Sequence, residues 1–182
     1  RAQQCLRASA QLPAAAFIGF GIIMLIAANW DGIPKFARFA LVGGVLAAAA
    51  LGGFFAKLRT PALLVAFLAT GGFLALIGQT YQTGADPWGL FAVWAAVTLP
   101  WALAARHDAL WTAWSIVVLT ALALWAGTFG RAKGSDVTLM VWMIEIGLAT
   151  LLGPRSPVQA LLGATRWAFR IVALLAMAHF TQ

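Results

Sequence analysis

Charge is what this sequence has least of: only 9% of its 182 residues are Asp, Glu, Lys or Arg, where a soluble domain carries about 25%. That deficit excludes a water-soluble fold, because twelve basic and five acidic residues cannot dress the exterior of a chain this size. A single cysteine, Cys5, excludes an intrachain disulfide and a cysteine-built metal site. His107 and His179 stand far apart and outside any ligand spacing, so neither a metal nor another cofactor is expected. There is no Ser–His–Asp arrangement, no His-rich motif and no glycine loop placed to cradle phosphate after a strand. No catalytic activity is therefore expected. Strand-type alternation is missing too, which leaves helices to satisfy backbone groups in lipid.

What is present is apolar. Hydrophobic residues make up 63% of the chain, mean hydropathy is +0.90, and there are nine Trp and twelve Phe. Seven apolar stretches account for nearly everything: residues 13–30, 36–56, 61–80, 88–105, 109–129, 137–152 and 158–180. Most approach the ~20 residues that a perpendicular membrane helix needs. The expected fold is an all-α, polytopic transmembrane bundle of about seven spans, forming a single integral membrane domain over residues 1–182. Short connections make consecutive helices antiparallel neighbours. Glycines inside the spans (Gly19 and Gly21, Gly43 and Gly44, Gly71 and Gly72) read as close-packing positions between helices.

The net charge of +7 would point to nucleic acid in a soluble protein. Here the cations sit singly between apolar runs, so they read as topology signals, and no nucleic-acid partner is expected. Arg1, Arg7, Lys57, Arg59, Arg106, Arg155, Arg166 and Arg170 fall on one side of a seven-span layout, against Lys35, Arg38, Arg131 and Lys133 on the other. The excess favours a cytoplasmic N-terminus.

That orientation puts two polar groups on the outer face. Asn29, Trp30 and Asp31 end the first span; Gln79, Tyr81, Gln82 and Asp86 surround the end of the third. A faint echo links the two, since the residues from Gly21 to Asp31 can be laid over those from Gly72 to Gln82. Two readings compete. Asn, Asp and Gln at helix ends cap backbone groups, and Trp30, Tyr81 and Trp88 suit an aromatic belt. Alternatively, convergent polar groups on an apolar bundle form a ligand-binding mouth. A carboxylate pair of Asp31 and Asp86 for acid–base catalysis is a remote third reading.

The same residues carry a resemblance. Ala27-Ala28-Asn29-Trp30-Asp31 after a glycine-rich apolar helix, then Ile77-Gly78-Gln79-Thr80-Tyr81 leading to Asp86-Pro87, resembles a family of bacterial predicted membrane proteins catalogued as domain of unknown function 2157 (DUF2157). The likeness covers roughly the first hundred residues. It implies a bacterial inner-membrane location with both motifs on the outer side, and it supplies no activity. Members begin with a short charged cytoplasmic segment that this chain largely lacks. It also opens on Arg1 rather than methionine, so a piece of a longer protein is expected.

One acid lies well inside a span. Burying Glu145 in lipid costs at least ~2.5 kcal/mol, so it should be paired or protonated. Helical rise places it about 10 Å from the inner end of its helix, with Arg166 about 12 Å along the returning one. Arg170 follows one turn deeper. An intramembrane pair of Glu145 with Arg166 or Arg170 would be either a clamp between the last two helices or a proton- or ion-coupling element.

The expected function is that of a small-molecule or ion binding, transporter-like protein with its site at the outer mouth. The alternative is a structural or assembly component docking other membrane proteins through its glycine-rich faces. Expected partners are the lipid bilayer and either a membrane-protein partner or a second copy.

Overall fold

Glycine, proline and a few polar residues punctuate the apolar runs, and the helices begin and end at these marks. In a computed structural model the chain forms α1 (Lys35–Gly52), α2 (Arg59–Tyr81), α3 (Pro87–Ala105), α4 (Asp108–Lys133), α5 (Ser135–Leu152) and α6 (Arg166–Phe180). The structure describes residues 13–14, 17–21, 24–25, 28, 32–81, 84, 86–133, 135–153, 156 and 166–180. Described residues between 13 and 28 are helical as well, and no strand occurs among the described residues. Among the described residues, four helices are long and apolar enough to cross a membrane: α1, α2, α3 and the Asp108–Phe129 part of α4. The protein is an all-α, multi-pass membrane protein.

Local chemistry explains the boundaries. α1 stops at Gly52, four residues before the expected end. The chain there folds into a tight turn closed by bonds such as Phe54 N–H to the Leu51 carbonyl and Phe55 N–H to that of Gly52, both 3.1 Å. Gly53 is buried in this turn, and a Cβ on it would fall 2.7 Å from Leu63 Cδ2. Gly84, with φ of +61°, takes a backbone conformation that side chains disfavour, and Pro87 then opens α3. α3 ends on Arg106 in the left-handed region, its N–H donating to the Ala102 carbonyl at 3.2 Å. His107 Nδ1 accepts the Ala109 N–H at 3.2 Å and caps the start of α4. The last span was expected from residue 158; residues 157–165 lie outside the described residues, and the helix is described over Arg166–Phe180.

The chain is built as two compact units, Arg1–Gly84 and Ala85–Gln182. In the first, α2 is central. Its buried residues Leu63, Ala66, Phe67, Thr70 and Gly71 recur at helical spacing. α1 lies against it through Phe39 on Phe73 (ring centroids 5.7 Å apart) and Val42 beside Leu76. On another side a Cβ at Gly19 would come within 2.9 Å of the Leu68 side chain, so that glycine sits where helices approach closely. Gly43 is in ordinary contact distance of Phe73, whereas Gly21 and Gly44 face open space.

In the second unit α4 is central and packs against α3, α5 and α6, with α5 also touching α6. Leu110, Trp111 and Ser115 of α4 are buried. α3 is tied to it by the Trp114 indole N–H, which donates to the Ala95 carbonyl at 2.8 Å, and by Trp88 packed edge-on to Phe129. α5 presents a single buried stripe: Val137, Val141, Glu145, Leu148 and Leu152. α6 buries Ala168 and Val172. Three buried hydroxyls turn back on their own helices, Thr70 to the Ala66 carbonyl, Thr98 to Trp94 and Ser115 to Trp111, whereas the buried Thr112 Oγ1 has no partner among the described residues. Each of the three satisfies its donor without leaving the helix.

Candidate functional site

Two sets of polar residues were singled out, one at a rim and one in the interior. Of the rim residues, Asn29, Trp30, Asp31 and Gln82 lie outside the described residues, as does the comparison between the two polar motifs. Gln79 and Tyr81 close the last turn of α2, and both are exposed. The Tyr81 ring rests on Phe39, 6.2 Å between centroids. That contact sets the start of α1 beside the end of α2, so Lys35 and Arg38 belong to the same end of the first unit as Gln79 and Tyr81. Arg38 Nε donates to the Ile33 carbonyl at 2.8 Å, which braces the entry to α1.

Asp86 occupies the N-cap position of α3. Its backbone carbonyl accepts the Gly89 N–H at 2.9 Å, yet its carboxylate makes no capping hydrogen bond. An Asp at this position ordinarily spends its side chain on the free N–H groups of the first turn. Here the carboxylate is exposed and unspent. Two residues on, the buried Trp88 Nε1 has no hydrogen-bond partner among the described residues. The rim of the second unit thus carries one unengaged acceptor and one unengaged donor close together in sequence, beside an aromatic cluster of Trp88, Phe129 and Trp125.

In the interior, Glu145 is fully buried within the α5 stripe, at the i+4 position from Val141. It therefore faces the packed side of its helix, where ionisable residues in membranes ordinarily point, and a neighbour engages it. Arg170 is exposed on α6, its guanidinium 5.2 Å from the Trp167 ring centroid. Arg166 opens α6, and its side chain lies outside the described residues. Among the described residues no group of His, Cys, Asp and Glu is arranged to hold a metal ion.

A family model described as a predicted membrane protein, DUF2157, matches residues 6–111. This chain belongs to the DUF2157 family. No curated protein matches it, and no solved structure does. The match takes in α1, α2 and α3 and ends just past the Arg106-His107-Asp108 turn.

That turn holds the residue that sequence reasoning missed in this DUF2157 protein. In the sequence Asp108 is one of three residues between the apolar runs 88–105 and 109–129. Its carboxylate accepts the backbone N–H of Trp167 (3.1 Å) and of Ala168 (3.2 Å). It caps the first turn of α6, where N–H groups have no partner within the helix. A negative charge there also meets the positive end of the helix dipole. No local signal could have revealed this, because donor and acceptor stand 59 residues apart.

Proposed function

We propose that this DUF2157 protein is a bacterial inner-membrane protein of about seven spans with a cytoplasmic N-terminus, which binds and moves an ion or small molecule, without catalysis, from a polar mouth on its outer face. The observation that carries the reading is the unspent chemistry beside α3: an Asp86 carboxylate free of capping and a buried Trp88 N–H without an acceptor among the described residues. Unmet buried donors cost stability, so a ligand that accepts from Trp88 repays a cost that packing leaves standing. Glu145 serves as core support in this reading.

The test is purification in native-lipid nanodiscs followed by mass spectrometry of released small molecules. Wild-type protein should release a defined species, and Asp86→Asn should reduce its retention about tenfold, the effect of losing one charged hydrogen bond. Gln79→Ala should reduce it less. An unchanged small-molecule complement in both variants, or none in the wild type, would overturn the reading.

A second reading, a docking component, is favoured by one observation: apolar α1 buries only Val42. Gly44 has nothing within 4 Å of where a Cβ would stand, which leaves room for a partner helix. Recovery of one fixed membrane-protein partner, lost in Gly44→Leu, would favour it.

A further inference from the structure

We infer that the turn joining α1 to α2 is a docking surface for anionic phospholipid, with the phosphate-bearing headgroup held by Lys57 and Arg59 and the acyl-chain boundary engaged by Phe54 and Phe55. This inference does not depend on the outer-mouth reading, because it concerns the opposite ends of α1 and α2.

Four features converge here. Phe54 is 81% and Phe55 66% exposed, and Leu58 52%, so three apolar anchors stand clear of the protein in a segment of only five residues. Neither phenylalanine has an aromatic partner among the described residues, whereas Phe39, Phe73, Phe91 and Phe129 all do. Second, Lys57 and Arg59 are both exposed. Residues 32–85 carry four cations (Lys35, Arg38, Lys57, Arg59) and no acid, so no carboxylate from this stretch competes for the pair.

Third, the turn is rigid. Gly53 N–H bonds to the Ala49 and Ala50 carbonyls, Phe54 and Phe55 continue the series, and Leu58 N–H closes on the Phe55 carbonyl at 2.9 Å. With these four amides bonded within the protein, the turn can sit at the headgroup level instead of in bulk water. Fourth, Arg59 is already oriented. Its Nε donates to the Gly53 carbonyl at 3.3 Å, which fixes the plane of the guanidinium and leaves its terminal nitrogens for a phosphate. Aromatic and aliphatic anchors beside basic residues are the combination that reads a negatively charged lipid surface. Zwitterionic lipid offers the same phosphate but adds a choline charge that these cations repel.

The experiment is native mass spectrometry of the full chain released from nanodiscs of equal phosphatidylglycerol and phosphatidylcholine. The wild type should retain phosphatidylglycerol preferentially. Each cation removed should lower that preference about fivefold, so Lys57→Gln with Arg59→Gln together should nearly abolish it. Phe54→Ser with Phe55→Ser should reduce total lipid retained at this turn without changing the preference as strongly. Lys57→Gln alone guards against misfolding, because Lys57 makes no contact that holds the turn. Equal retention of both lipids by the wild type would overturn the inference, and so would a preference unmoved by Lys57→Gln in a folded protein. Displacement of the lipid by millimolar inorganic phosphate would also overturn it, since it would mean that a free anion is the occupant.

Discussion

In the unit of residues 1–84, α2 meets α1 through Phe39, Phe73, Val42 and Leu76, and its buried hydroxyl, Thr70, turns back on its own helix. In the unit of residues 85–182, α4 reaches α3 through an indole-to-carbonyl bond spanning 19 residues and α6 through carboxylate-to-backbone bonds spanning 59 and 60. The cationic links of the first unit, Arg38 to Ile33 and Arg59 to Gly53, span only five and six. Lipid tails are as apolar as helix faces, so burial alone gives little reason for one helix arrangement over another. Among the described residues, the contact of α1 with α2 is one of shape. The second unit adds polar ties of fixed length and direction, which specify neighbours as well as hold them.

The contrast is most exposed to a core truncation in the first unit. Phe67→Ala, at a buried position of α2, should cost about 2–3 kcal/mol, because the cavity term survives in lipid while the water-transfer term does not. Steric-trap or denaturant unfolding in bilayers would read it; a cost near zero would mean that shape is not what holds α2. Next comes Asp108→Ala in the second unit. Losing two charge-assisted bonds at a helix start should cost about 1–3 kcal/mol. Hydrogen exchange should rise in the first turn of α6 while α1 and α2 stay protected. Asp108→Asn, which keeps an acceptor for one N–H, should fall between. Exchange rising equally in both units would break the comparison. The smallest effect is expected from Trp114→Phe, about 0.5–1.5 kcal/mol for the bond to Ala95, with loosening confined to the α3–α4 pair.

Much of this was legible in the sequence, and the parts that were not share a cause. The spans expected at 61–80 and 88–105 match Arg59–Tyr81 and Pro87–Ala105 closely, because Pro61, Gly84 and Pro87 mark their ends locally. The span expected at 36–56 ran past Gly52 because Phe54 and Phe55 are as apolar as the helix they leave. Hydropathy cannot tell a helix from an apolar turn. Glu145 stood out as a lone acid in an apolar run, and the stripe of Val137, Val141, Leu148 and Leu152 shows why it is buried: it shares their phase. The arginine pairing was argued from depth, and depth does not fix a face: Arg170 lies over the Trp167 ring, and the Arg166 side chain is outside the described residues. Asp108 was invisible because its significance lies in another helix. Local pattern finds what a residue does for its own element.

The long span between Asp108 and Trp167 also orders events during synthesis. The carboxylate leaves the ribosome well before the amides it will receive, so the seat is in place before its occupant arrives. A chain halted ahead of α6 would hold that carboxylate without the two amides of Trp167 and Ala168, so the bonds that seat the last helix form only once it has emerged.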